Sequence, residues 1–415
     1  MEKPALIGGP AAFAKPFPRP GSTGPREIEA ALTVLRSGVL SDFVGAPGPA
    51  FLGGHEVRAL EEAWMAAFGV GYAVSMNSAT SGLHAALVAA GVRPGDEVIV
   101  PPQTMSATAT AVVMAGASPV FVDTQAATAC LDPAAVEAAL SPRTRAIIAV
   151  NLFGGPAPVT ALRALCDSRG LMLIEDNAQA PGGRQGDRWL GTIGHLGVFS
   201  LNFHKTIQCG EGGVVVTDDE RLAWRLRLVR NHGENVVDDA EEDSDIVGYN
   251  YRLTEVQAAI ARVQLARLEE LTAPRIRAAH ALDQQLAAFP ALRTARPAPA
   301  DRHVYYVYPM WLDAAAAGLS RARFVEALVA EGCPIAAGYV RPLYRLPLFR
   351  RLQAQGRAFV RGPGGTCPNA ERAHAETLLY STIVGAPDAP ALVERFVHAV
   401  AKVLHHAHAL EAVAA

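Results

Sequence analysis

The chain has 415 residues, of which 50% are hydrophobic and 19% charged, with a formal net charge of −3. Such a chain buries a large core without disulfide or metal staples and is not disordered, and its charge offers no strong field to nucleic acid or an anionic membrane. The five cysteines, Cys130, Cys166, Cys209, Cys333 and Cys367, are odd in number and widely spaced, which argues against a disulfide framework and for a reducing, cytoplasmic setting.

The first residues are broken by prolines and lack an apolar signal core, so residues 1–30 read as an N-terminal arm. From about residue 70 to 220, short apolar runs alternate with helical stretches. The strand candidates are Tyr72–Met76, Val98–Val100, Val120–Val122, Ala146–Val150, Leu171–Ile174, Val198–Leu201 and Val214–Val216. Most are apolar throughout, as in a largely parallel sheet covered on both faces. Helices are expected at Thr80–Ala90, Ala107–Ala115, Pro133–Leu140 and Val159–Arg169, with Asp132 capping the third. The uncharged stretch Thr104–Val122 is as long as a membrane span. Its five hydroxyl side chains and the Gly116–Pro119 break make it instead a buried helix followed by a strand.

An acidic run, Asp238 to Asp245, reads as a solvated loop. A helix from Thr254 to Leu271 follows, and Pro274 is expected to end or kink it at a domain boundary. Beyond it, His303–Trp311 is strand-like, and Arg321–Glu331 and Ala389–Ala407 are helical. His405, His406 and His408 read as a solvated helix end, and no metal site is expected. The expected fold is therefore α/β. A large domain (31–273) holds a mostly parallel seven-stranded sheet between helices, and a smaller α+β domain (274–415) follows.

Three features carry chemistry. Asn77-Ser78-Ala79-Thr80-Ser81-Gly82 follows an apolar strand and opens a helix, where backbone N–H groups and the helix dipole favour an anion such as phosphate. The apolar strand Leu171–Ile174 runs into Glu175-Asp176, with Gln179 three residues on. A strand-end carboxylate faces the crevice where ligands of α/β sheets bind, and it suits a protonated pyridine nitrogen. Lys205 lies between a strand end, with Ser200 five residues before it, and the turn Cys209-Gly210-Glu211-Gly212-Gly213. A lysine held in such a site is poised for a Schiff base. In this order on one sheet, the three meet the needs of a pyridoxal 5′-phosphate (PLP) enzyme.

Several stretches also resemble one family: VLRSGVLSDF, GDEVIVPPQTMSATATAVVMAGASPVFVD, LIEDNAQAPGG, GVFSLNFHKTIQCGEGGVVVTDD, GYNYRLTEVQAAI and CPNAER. They are similar to those of the DegT/StrS sugar aminotransferases, which have PLP fold type I, and the likeness runs over nearly the whole chain. The resemblance implies that Lys205 carries the cofactor (as PLP or its amine form PMP) and shuttles the proton. It implies that Asp176 holds the pyridine nitrogen, Gln179 lies beside the ring, and Ala79, Thr80 and Ser200 bind the phosphate. Asn250 would reach the phosphate from the neighbouring subunit of a homodimer. Met105 stands where the family usually stacks an aromatic ring, Pro181 replaces a usual histidine, and Ala79 replaces a usual glycine. Glu211, His303, Tyr305, Arg341 and Tyr344 are the candidate substrate contacts.

The implied reaction moves an amino group from L-glutamine or L-glutamate to a keto sugar or keto cyclitol, inosose-like or nucleotide-linked. The family also contains sugar dehydratases, in which histidine replaces the lysine, and an aminohydroxybenzoate synthase. Those chemistries, and a non-catalytic regulatory role, are the alternatives. The intact Lys205 counts against a dehydratase, and the intact Lys205, Asp176 and Gln179 count against a regulator. The chain shows no GxGxxG turn after its first strand, which a nicotinamide-dependent oxidoreductase would need.

Overall fold

The computed structural model describes residues 1–415 except 16, 18–20, 47, 234–245 and 413–415. The acidic run Asp238–Asp245 therefore lies outside the described residues. In chain order the strands are β1 (Tyr72–Met76), β2 (Glu97–Val100), β3 (Ser118–Phe121), β4 (Thr144–Val150), β5 (Met172–Asp176), β6 (Arg184–Gln185) and β7 (Arg188–Trp189). They continue as β8 (Leu196–Ser200), β9 (Gly213–Thr217), β10 (Leu292–Thr294), β11 (Tyr308–Leu312), β12 (Ile335–Ala337), β13 (Phe359–Val360) and β14 (Leu378–Ser381).

The large sheet has eight strands in the order β1-β9-β8-β5-β4-β2-β3-β13. Only β9 runs against the rest: it pairs antiparallel with β1 and β8, and the remaining pairings are parallel. All seven expected strands form. The eighth, β13, comes from the part of the chain assigned to the small domain and adds to the edge beside β3. At two residues, Phe359–Val360 is too short to carry a strand signature of its own. It forms because the β3 edge supplies the partner.

The apolar runs are buried on both faces, as a covered parallel sheet requires. Helices Ala79–Ala89 and Ala107–Met114 pack on one face with Val74, Val98, Ile148 and Val215, and helix Val159–Arg169 on the other with Ile147, Ala149 and Leu173. Thr104–Val122 is a helix and a strand, and among the described residues no helix is long and apolar enough to cross a membrane.

The long helix does not stop at Pro274. Thr254 caps helix Glu255–Ala266 with its hydroxyl and Gln257 completes the capping box. The break falls at Arg267, and a second helix, Leu268–Leu286, runs through Pro274. That helix packs on helix Ala389–His405 over a four-stranded antiparallel sheet, β10-β11-β14-β12. The strand-like run His303–Trp311 is only partly strand: β11 starts at Tyr308.

The N-terminal segment is locked to helices Arg321–Ala330 and Ala389–His405 by a buried charge pair. Lys402 Nζ donates to Glu331 Oε2 at 2.9 Å and to the Pro10 carbonyl at 2.7 Å. The Glu331 carboxylate also accepts the Ala5 and Ala12 N–H groups, each at 2.8 Å. Both side chains are almost fully buried. Removing one partner strands a buried charge, so Lys402→Met is expected to cost about 3–5 kcal/mol, measured by urea unfolding.

Candidate active site

The carboxyl ends of the parallel strands, where ligands of such sheets bind, gather the candidate residues. β5 ends in two acids that alternate across the pleat. Glu175 is fully buried. Its Oε1 accepts the Ile193 and Gly194 N–H groups at 2.6 Å, and its Oε2 accepts Asn151 Nδ2 at 3.0 Å and the Gly191 N–H at 2.8 Å. It staples a loop and has no free lone pair facing the crevice.

Asp176 takes the other direction. Its Oδ2 accepts the Thr108 hydroxyl at 2.9 Å and its Oδ1 the Ala178 N–H at 3.2 Å. Burial pushes its pKa up, while Thr108, Ala178 and the charge of Lys205 pull against that rise. A buried carboxylate left short of positive charge in this way is what a protonated pyridine nitrogen would satisfy.

Lys205 sits in the turn between β8 and β9, its N–H bonded to the Asn202 carbonyl at 2.9 Å. Burial lowers its amine pKa from 10.5 to about 8, and Asp176 acts in the opposite direction. Lysine is normally an inert cation at neutral pH. This one is within reach of its neutral, nucleophilic form. Below pH 8 most of the amine is protonated and unreactive, so capture of PLP by the cofactor-free protein is expected to rise about tenfold per pH unit up to about 8 and then level off. Stopped-flow absorbance against pH checks this.

The candidate anion cradle is built around Gly213. This residue pairs with Met76 of β1 on one side and Ser200 of β8 on the other. A β-carbon at Gly213 would lie 2.7 Å from the Ala79 nitrogen and 2.8 Å from the Ser78 oxygen. Only glycine lets the sheet approach the helix start so closely. The Ser78 hydroxyl accepts the Ser81 N–H at 3.1 Å and thereby caps helix Ala79–Ala89. The first helical N–H groups, at Ala79 and Thr80, are left for an anion, with the Ser200 hydroxyl across Gly213 from them. The anion cradle, a strand-end carboxylate and a lysine of lowered pKa therefore fit a pyridine ring that carries a phosphate and an aldehyde.

A profile of the DegT/DnrJ/EryC1/StrS aminotransferase family matches residues 46–389. The chain belongs to this family. It is a PLP-dependent aminotransferase. Similar solved structures include an aminotransferase from Psychrobacter cryohalolentis, 29% identical with a TM-score of 0.83, covering 95% of this chain and 100% of that one. DesV of S. venezuelae is 33% identical with a TM-score of 0.75, covering 90% and 94%. DesI, solved in the presence of its TDP-sugar product, is 31% identical with a TM-score of 0.80, covering 98% of both chains.

In this aminotransferase Gln179 is a clamp. Its Oε1 accepts the Phe153 N–H at 2.7 Å and its Nε2 donates to the Tyr339 hydroxyl at 2.8 Å. Both partners have positive φ, +62° at Phe153 and +56° at Tyr339. Such values are strained for bulky residues and persist where surroundings over-determine them. Neither partner stands out in the sequence as a site residue, and neither does Thr108, which reads as one more hydroxyl on an Ala/Thr helix. Met105 is 60% exposed at the start of that helix. Asn250 is exposed, with Arg252 Nε donating to its Oδ1 at 2.9 Å, and its carbonyl accepts Asn77 Nδ2 at 3.3 Å. Glu211 is exposed and accepts Asn202 Nδ2 at 2.8 Å.

Three of the expected substrate contacts are buried side chains. Tyr305 has no exposed surface and packs in the core of the second sheet with Tyr308 and Leu282. The Tyr344 ring lies against Phe121, and its hydroxyl is bonded to Glu371 and accepts the Cys367 N–H at 3.2 Å. His303 is stacked on Tyr305, its Nδ1 accepts the Tyr305 N–H at 2.9 Å, and burial lowers its pKa to about 3. Each has an aromatic ring that the apolar interior takes up. Arg341 remains exposed, beside a cavity of about 600 Å³ that also meets Arg345, Arg350, Glu371 and His374.

Proposed function

We propose that this chain moves an amino group from L-glutamine or L-glutamate to a keto sugar or keto cyclitol, inosose-like or nucleotide-linked, in amino-sugar or aminocyclitol biosynthesis in the cytoplasm. The observation that carries the reading is the pairing of Lys205, its pKa lowered to about 8, with the buried Asp176. When bound, PLP supplies the electron sink that lets a proton leave the carbon bearing the amino group. Asp176, with Thr108 donating to its Oδ2, would supply the negative charge for the ring nitrogen. Ala79, Thr80 and Ser200 would hold the phosphate, and Gln179 would fix the wall beside the ring. Once displaced from the cofactor, Lys205 Nζ would take the proton from that carbon as general base and give it up on the cofactor side as general acid, so that the amino group stays behind on the cofactor. Glu211 is read as shaping the sugar site, and Arg341 as contacting the donor carboxylate or the acceptor hydroxyls.

The active site is read as shared by two subunits, with Asn250 crossing to the neighbour. In support, Ile28, Leu32, Leu35 and Val39 form one exposed apolar stripe on and just after helix Pro25–Ser37, and Phe203 beside the active lysine is 65% exposed. Contiguous exposed apolar surface of this kind marks an interface. Residues 1–30, 31–273 and 274–415 are read as arm, cofactor domain and small domain, with β13 reaching back from the last to the second.

The test is a pair of half-reactions. L-glutamine or L-glutamate is expected to convert the PLP-loaded protein to its amine form, seen by absorbance. A panel of keto sugars, nucleotide-linked and free, and keto cyclitols should then restore the starting spectrum with one member. A spectrum that no amino donor changes would sink the transaminase assignment of substrates.

A further inference from the structure

No motif points to the residue that faces the active lysine. Lys205 Nζ lies 4.8 Å from the centroid of the Tyr306 ring, inside the range in which an aromatic face attracts a cation. The ring is held there by its backbone. Tyr305, the residue before, has φ +49°, a costly value for a bulky residue. The turn is pinned by Arg275, whose guanidinium donates to the Tyr305 carbonyl at 3.4 Å and the Tyr306 carbonyl at 3.2 Å. On the far side of Arg275, a β-carbon at Gly385 would come within 3.0 Å of both terminal nitrogens, so the guanidinium has little room to retreat. The other charged or titratable groups facing Lys205 are Asp176 from β5 and His204 on its own turn, with Glu211 beyond. Arg275 lies behind Tyr306, and Tyr339 and Tyr380 lie beside it.

We propose that Tyr306 is the positioning residue of Lys205: its ring face holds the lysine nitrogen in place and favours the protonated state of that nitrogen. The claim rests on the reading of Lys205 as the cofactor lysine. Its physical content is a competition. Removing the amine from water disfavours its charge, and a ring face restores part of what is lost. Asp176 acts the same way but is shared with the cofactor nitrogen. Tyr306 is not, so it remains available to the lysine throughout the reaction.

The sign follows directly. A group that favours the cation raises the pKa, so deleting the ring lowers it. The experiment is the pH profile of PLP capture by the full-length chain, read as the mass added after borohydride reduction. Tyr306→Phe keeps the face and should keep the wild-type midpoint. Tyr306→Leu should move the midpoint down by about 0.5–1.5 pH units. Tyr306→Trp, with a stronger ring quadrupole, should hold or raise it, and covers the case in which the leucine variant folds poorly. An unshifted leucine variant overturns the proposal. So does a phenylalanine variant shifted as far as leucine, since the hydroxyl would then be the active part. Lys205→Ala is run alongside. Capture that persists in it removes the assignment of Lys205, a result separable from any shift at Tyr306.

Discussion

Lys205→Ala is expected to abolish the covalent link to PLP and to lower turnover by about 10⁴-fold or more, because one residue supplies both the nucleophile and the proton carrier. The link is checked by borohydride reduction and mass measurement, the turnover by single-turnover conversion of the amino donor. The fold should survive. Lys205 lies in a turn between β8 and β9 and pairs with no carboxylate at ion-pair distance among the described residues. Its loss deletes a buried amine and leaves the Glu331–Lys402 and Glu61–Arg230 pairs intact. A wild-type unfolding midpoint together with lost capture would assign the effect to chemistry. Retained capture would remove the central residue of the mechanism.

Asp176→Asn is expected to separate binding from chemistry. Asparagine is close in shape: its amide oxygen can still accept the Ala178 N–H, and its NH2 then faces the Thr108 hydroxyl, which can turn to accept it. It carries no charge, so nothing holds the ring nitrogen protonated. The loss in kcat should be about 10²–10³-fold, the scale of removing one aligned electrostatic group from a dry site. PLP should still attach to Lys205. A second readout fixes the sign of the coupling. Asp176 raises the Lys205 pKa against the lowering by burial, so its removal should move the capture midpoint below about 8. A variant with near wild-type kcat would show that Asp176 serves only the packing of β5.

These outcomes turn on residues that were legible at different levels. Asp176 and Lys205 stood out in the sequence because each breaks a local rule. A carboxylate ends a fully apolar strand, and a lysine sits between a strand end and a glycine-rich turn, where solvation alone gives it no reason to be. The apolar runs likewise told where the seven strands lie, because strands covered on both faces leave a continuous signature that short-range sequence retains. The helix start at Ser78 was readable for the same reason, since capping is local chemistry.

What the chain order could not carry was decided by long-range contact. The edge strand Phe359–Val360 exists because β3 offers unpaired groups. Helix Leu268–Leu286 continues through Pro274 because its packing on helix Ala389–His405 outweighs one missing hydrogen bond. His303, Tyr305 and Tyr344 carry the side chains expected of a substrate site, yet the tertiary structure spends their rings on the core. It brings Thr108 to Asp176, Tyr306 to Lys205, and Phe153 and Tyr339 to Gln179, from four separate stretches of chain. The sequence by itself determined the seven expected strands, the helix start at Ser78 and the two conspicuous residues Asp176 and Lys205, since each is written in a few consecutive residues. Only the tertiary structure decided which aromatic residues face that pair, because burial is set by neighbours that are distant in the chain.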